Sequence, residues 1–288
     1  MKNPRILTDG LAFPEGPVVL PNGDLLVVEI KGGRLTHVAP DGTKTTVADL
    51  GGGPNGAAIG PDGAVYVCNA GGGEWGSREG YTYGAIQRVD LATGAFTDLY
   101  THCDGNPLIG PNDLVFDDTG GFWFTDLGKV WGRQEHLGGV YYAQPDGSSI
   151  EQRAFPMGAN GVGLSPAGDR LYVAETMTGR LWVWPLSAPG TIAGARELVV
   201  GLPGYQLFDS LAVEADGNVC VATLMNGGIT VVTPDGEHEH VPVVDEPMVT
   251  NIAFGGDDLT TAYLTLSSTG RVLVCDWPRP GLRLTFEP

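Results

Sequence analysis

Six residues that carry a carboxylate or carboxamide oxygen, Glu15, Asn55, Asn112, Asn160, Asp209 and Asn251, each open an apolar segment that reads as a β-strand. An unpartnered polar group inside a packed β core costs on the order of 1–3 kcal/mol, and a buried charge costs more. Six such groups at one repeated position therefore call for a shared partner, and a central divalent cation supplies one. Two carboxylates with several amide oxygens suit a hard ion, so calcium is the first expectation, with magnesium or manganese as substitutes. Zinc more often recruits His or Cys. A single Asn-Gly is ordinarily a turn former; the recurrence is what points to a functional centre.

A second polar column follows the first by about fourteen residues: Glu29, Asn69, Asp126, Glu175, Thr223 and Thr265. Its members read either as acceptors that orient the carboxamides or as water-facing strand ends. Two long connections, residues 70–83 and 127–138, bring Trp75, Arg78, Tyr81, Tyr83, Lys129, Trp131, Arg133 and His136 to the same face, an aromatic and cationic rim suited to a polar organic ligand. Other chemistries lack their starting motifs. There is no GxSxG elbow, no GxxxxGK[ST] loop and no HExxH, and the histidines have no metal-ligand spacing. His238 and His240 sit in a hydrophilic EHEH run that reads as a solvated outer strand, and adjacent His102 and Cys103 make a poor catalytic pair.

The elements that position these residues form a repeat. Glu15 with Gly23, Asn55 with Gly63, Asn112 with Gly120, Asn160 with Gly168 and Asp209 with Gly217 are each eight residues apart. After the turn glycine comes a buried-type strand, such as LLVVE from Leu25 or FWFTD from Phe122, then a third and a fourth strand. From one opener to the next the chain runs 40, 57, 48, 49 and 42 residues. Six four-stranded antiparallel units at this period predict an all-β, six-bladed β-propeller, a single domain over residues 1–288 with a metal site at its centre. A double β-sandwich would not repeat a polar residue in one register. Blade geometry puts the openers, the ends of the second strands, and the two-to-three and four-to-one connections on one face. Either Arg5 to Thr8 or Leu282 to Phe286 supplies the outer strand that closes the ring.

Composition agrees. Gly and Pro fill 45 and 21 of 288 positions, which excludes a mostly helical protein. A formal net charge of −18 argues against nucleic acid or anionic membranes as partners. Four separated cysteines show neither a zinc ribbon nor a disulfide framework, and no apolar stretch has the length of a signal peptide core or a membrane span. A cytoplasmic protein, monomeric or a small homo-oligomer, is the expectation.

The chain resembles the gluconolactonase and senescence-marker-protein family of six-bladed propellers, related to diisopropyl-fluorophosphatase and luciferin-regenerating enzyme. The resemblance covers essentially the whole chain and rests on EGPVVLPNGDLLVVE from Glu15, PNDLVFDDTGGFWFTD from Pro111, GGVYYAQPDGS from Gly138, ANGVGLSPAGDRLYVAET from Ala159, FDSLAVEADGNVCVAT from Phe208 and TNIAFGG from Thr250. It implies one catalytic divalent metal, calcium first and magnesium, manganese, zinc or iron otherwise. It implies Glu15, Asn160 and Asp209 as ligands, with Asn112 as a fourth ligand or substrate contact. The resemblance adds nothing comparable for Asn55 or Asn251, which stay channel-lining candidates; from their place at the mouth, Asn55, Asp126, Lys129 and Trp131 join Asn112 as expected substrate contacts. The implied activity is lactone hydrolysis, with Asp209 as general base toward water. Family members that act on sugar lactones with an Arg two residues before the PND-type Asn use it toward the substrate; here that place is Gly110, so a less hydroxylated lactone read by the loop aromatics is as good an expectation as gluconolactone. A phosphotriesterase-type hydrolase with Asp209 as nucleophile would use the same metal. A non-catalytic binding propeller, or a strictosidine-synthase-like enzyme without a metal, would not need the oxygen set.

Overall fold

The computed structural model describes residues 1–72, 83–131, 133–155 and 157–286. Among them there is no α-helix; the ordered elements are strands, in six four-stranded antiparallel blades with small additions. The first blade runs Pro14–Val19, Leu25–Glu29, Arg34–Val38 and Lys44–Asp49, from the channel outwards. The inner strands of the next four are Pro54–Ile59, Pro111–Phe116, Ala159–Leu164 and Leu207–Val213. The sixth blade is built from Val249–Gly255, Thr261–Leu266 and Arg271–Asp276, and its outer strand is the N-terminal Lys2–Thr8. Ring closure therefore uses the segment containing Arg5 to Thr8. Each inner strand touches the inner strands of both neighbouring blades, all the way round.

Six apolar clusters hold the ring, one between each pair of neighbouring blades. Tyr66, Phe116, Phe122 and Phe124 fill the junction of the second and third blades; Val221, Phe208, Tyr172 and Leu181 that of the fourth and fifth. Strands of Val, Ile, Leu and aromatic residues buried on both faces produce this pattern, because each blade is sandwiched between two others. All four cysteines are free and buried, as apolar filling.

One irregularity repeats six times. Between Glu15 and Val18 the first inner strand spends three steps while its partner spends two, from Val28 to Leu26. The same single extra residue appears between Pro54 and Ala57, Pro111 and Leu114, Ala159 and Val162, Phe208 and Leu211, and Val249 and Asn251. A β-bulge re-aims a side chain and ends regular pairing. Here it turns the openers out of the ladder towards the axis. The residue after the opener is pressed against the next blade: a Cβ on Gly16 would lie 2.5 Å from the Asn55 carbonyl oxygen, on Gly56 2.5 Å from that of Asn112, and on Gly161 2.7 Å from that of Asp209.

The channel is covered at the end remote from the openers by the C-terminal segment. Leu282 donates its amide to the Val213 carbonyl at 2.8 Å, and Phe286 meets Phe116 edge-on with centroids 5.9 Å apart. Leu282 to Phe286 is thus a plug and not a closing strand. Glu214 anchors it. Fully buried, this carboxylate accepts hydrogen bonds from Trp277 Nε1 (2.6 Å), Arg279 Nε (2.5 Å) and Asn218 Nδ2 (2.9 Å), which hold it ionised and below the usual carboxylate range. Removing Arg279 strands a buried charge. Arg279→Ala should lower stability by about 2–3 kcal/mol, read by urea denaturation. A midpoint equal to that of the parent would show that the anchor contributes nothing.

Candidate metal centre

Four blades bring Glu15, Asn112, Asn160 and Asp209 to the bulges around the axis, and all four side chains are buried. Glu15 Oε2 accepts from the Gly16 amide at 2.7 Å and from Asn251 Nδ2 at 2.9 Å. Asn160 Nδ2 donates to Thr176 Oγ1 at 3.0 Å, which fixes the carboxamide plane and leaves its oxygen facing away from Thr176. That oxygen, Asn160 Oδ1, has no hydrogen-bond partner, and neither has Asn112 Oδ1. Buried amide oxygens without donors are rare in folded proteins because each forfeits its hydration for nothing. Two of them, beside two buried carboxylates, form a set of oxygen donors that could hold a hard cation. Among the described residues no three His, Cys, Asp or Glu side chains group into a ready-made metal cluster, so the donor set depends on the amides.

The electrostatics point the same way. Burial first, and hydrogen bonds only partly offsetting it, push Glu15 up to about 7. Asp209 is raised well above the usual range by burial and then by the charge of Glu15. Asp113 is pushed to about 7 by burial and by Glu15. Three buried acids that repel one another describe a hole for positive charge.

Asp113 is a residue that the repeat did not single out. It follows the opener of the third blade, where three other blades have glycine, and its Oδ1 accepts from the Leu114 amide at 2.9 Å. Ser210 faces it from the fifth blade, fully buried, its Oγ without a partner of normal geometry. The break in the glycine pattern was the available signal. The sixth blade is also one residue out of the expected register. Leu211 pairs with Val221 and Ile252 with Leu264, while Thr223 pairs with Gly228 and Leu266 with Arg271. Thr250 therefore matches Asp209, and Asn251 matches Ser210. Asn251 still lines the channel, as the donor to Glu15. Asn55 is half-buried at the second-blade bulge.

The second polar column does other work. Glu29 accepts from the Ala12 amide at 2.6 Å, Asn69 Oδ1 from Gly53 at 2.9 Å, and Asp126 from Ile109 and Gly110, both at 2.8 Å. In each case the end of the second strand clamps the backbone that enters its own inner strand. Asp126 also accepts from Gly128, so both carboxylate oxygens are committed to amides. Glu29, Asn69 and Asp126 are buried, neither water-facing nor aimed at the carboxamides, and they set the height at which Glu15, Asn55 and Asn112 begin; Glu175 is half-buried and accepts from Thr178 and Trp182, while Thr223 and Thr265 bond to the hydroxyls of Thr230 and Thr250. Lys129 reaches across to the carbonyl oxygens of Ala70 and Gly72, tying the third-blade loop to the second; partial burial lowers it to about 8. The Trp131 backbone lies in the Lys129–Trp131 hairpin strand, but its side chain falls outside the described residues, as do Trp75, Arg78 and Tyr81. A Cβ on Gly110 would lie 2.7 Å from the Gly128 carbonyl oxygen, so that position is closed to any longer side chain.

A family model described as SMP-30/Gluconolactonase/LRE-like region matches residues 13–268, spanning all six inner strands. The chain belongs to this family. Among SMP-30/gluconolactonase/LRE-like relatives, the gluconolactonase of Zymomonas mobilis is 26% identical over 265 residues, 81% of this chain and 70% of the relative. Lactonase drp35 of Staphylococcus saprophyticus is 34% identical over 234 residues, 79% of this chain and 67% of the relative. Two solved structures share the fold: a gluconolactonase from Xanthomonas campestris (TM-score 0.79, 24% identity, 96% of this chain and 89% of that one) and regucalcin, a calcium-binding protein from Agrobacterium tumefaciens (TM-score 0.77, 21% identity, 98% of each).

Raised carboxylate values tie stability to pH. Without a cation the folded state holds protons on Glu15 and Asp113 that the unfolded chain has already released, between the ordinary carboxylate range and about 7. Stability of the chelated protein should therefore fall as pH rises through that window, and the deficit should be complete above it. Calcium, which takes the ionised form, should raise the melting temperature more at pH 7.5 than at pH 5. Thermal scans at both values with chelator and with calcium check this; an equal shift at the two would contradict it.

Proposed function

We propose that the protein is a divalent-metal-dependent lactonase that opens a small lactone to the hydroxy acid. The observation that carries the reading is the pair of buried, partnerless oxygens Asn112 Oδ1 and Asn160 Oδ1 beside the carboxylates of Glu15 and Asp209. Gluconolactonase and lactonase relatives support the reaction class, and the calcium-binding regucalcin neighbour supports calcium as the ion, with magnesium, manganese, zinc or iron as the others the site could be tested with.

Glu15, Asn112, Asn160 and Asp209 would hold the ion. When bound, a divalent cation supplies Lewis acidity towards a carbonyl oxygen and neutralises the repulsion between the acids. Asp209 takes the proton from the water that attacks the carbonyl carbon and returns it to the ring oxygen as the acyl C–O bond breaks, giving the hydroxy acid; its burial and the neighbouring charge of Glu15 make it a stronger base than an exposed aspartate. Asn160, held by Thr176, keeps its oxygen towards the centre, and Asn251 keeps Glu15 in place. Asn55 and Asn112 face the substrate from the second and third blades. Asp126 and Lys129 position the loops that surround it. Asp113, packed between Asn112 and Ser210, supports the centre from below.

Asp209→Asn should reduce kcat on a lactone panel at least about 100-fold with little loss of stability. Chelation should abolish activity of the parent protein and added calcium restore it. Full activity in Asp209→Asn, or turnover indifferent to chelator, would overturn the proposal. Organophosphate substrates in the same panel separate lactone from phosphotriester hydrolysis.

A further inference from the structure

The two faces of the propeller differ in what they expose. Among the described residues eleven large apolar side chains are exposed, and eight of them sit in connections on the face that carries the openers. Ile6 and Leu198 lie in outer strands and Leu284 in the C-terminal segment; the one-to-two and three-to-four turns of the opposite face carry none. Isolated exposed apolar residues are ordinary; several in neighbouring connections of one face make an apolar surface there.

Within that face they are concentrated on three consecutive blades. Val130 belongs to the two-to-three connection of the third blade and Phe155 follows its outer strand, Ile150–Ala154. Met177 and Tyr205 hold the two equivalent connections of the fourth blade, and Met225 and Val244 those of the fifth. Met177, Tyr205 and Val244 are 71%, 70% and 80% exposed. Met225 has a left-handed conformation (φ 69°), which favours glycine or asparagine, and its backbone N–H donates a hydrogen bond to the Pro247 carbonyl oxygen at 2.8 Å. The same three blades supply Asn112, Asn160 and Asp209, so the apolar arc stands over the half of the ring that provides three of the four candidate ligands.

We propose that this arc makes the enzyme selective for lactones bearing an apolar substituent, an alkyl or aryl chain on the ring, over unsubstituted or polyhydroxylated ones. The inference rests on the lactonase reading. The substituent would leave the ring at the metal and lie along the connections of the third to fifth blades, where burial of each methylene favours binding. Gly110, closed to side chains by the Gly128 carbonyl, offers no polar arm there to read ring hydroxyls.

The test compares kcat/KM for γ-butyrolactone, γ-lactones carrying straight alkyl chains of increasing length, and glucono-δ-lactone, using the full calcium-loaded chain. Each added methylene should raise kcat/KM roughly twofold to fourfold until the arc is spanned. In Met177→Ser and Tyr205→Ser the ratio of the long-chain to the unsubstituted value should fall at least about threefold, with folding checked by thermal scans. Turnover of the series with no dependence on chain length, or a ratio unmoved by both substitutions, overturns this inference and leaves the lactonase reading standing. If the substitutions instead abolish self-association seen by light scattering without changing the ratio, the arc is a contact between copies and the inference fails. Absence of turnover on every lactone would defeat the lactonase reading itself.

Discussion

Negative charge and unpartnered oxygen gathered on the axis of the ring is the constraint on which the remaining features depend. Burial raises the proton affinity of Glu15, Asp113 and Asp209, the charge of Glu15 raises that of the two aspartates further, and Asn112 and Asn160 add oxygens that no donor satisfies. Such a centre is unfavourable by itself and persists only because six interblade clusters fix the strands that carry it. Stability held elsewhere in the fold is what lets the centre persist.

The bulges translate that stability into aim. A regular strand would send alternate side chains into the interblade clusters; one additional residue in each inner strand releases the opener towards the axis. Gly16, Gly56 and Gly161 then let successive bulges approach to backbone contact, so the position of one opener is set by the next blade as much as by its own. Glu29, Asn69 and Asp126 complete the arrangement by gripping the incoming backbone. Conversely, the apolar mouth connections take little part in the clusters, which leaves them free to differ according to what the enzyme must admit.

Much of this was legible in the sequence. The eight-residue spacing of opener and turn glycine is a local property of a short hairpin, so it survives in five blades and locates Glu15, Asn112, Asn160 and Asp209 correctly on the bulges. It failed in the sixth, where the turn runs through Gly255 to Thr260 and Asn251 was the conspicuous polar residue although Thr250 holds the opener position. Asp113 was overlooked because an acid beside an Asn-type opener looks like turn chemistry until its neighbours at the same position prove to be glycines. The function of the second column was out of reach for a different reason: its spacing is written in the strands, but its partners, such as the Ala12 and Gly53 amides, lie on connections whose paths depend on the closed ring. Closure by Lys2–Thr8 and the plug at Leu282 to Phe286 are likewise long-range choices between chain ends.

The central claim is that Glu15, Asn112, Asn160 and Asp209 together bind one cation. A crystal structure of the protein loaded with manganese, with diffraction recorded for the anomalous signal of the metal, tests it most directly. The account predicts a single axial peak within ligand distance of Asn112 Oδ1, Asn160 Oδ1 and the two carboxylates. A channel without anomalous density at saturating manganese, or a peak held by other residues, would contradict it.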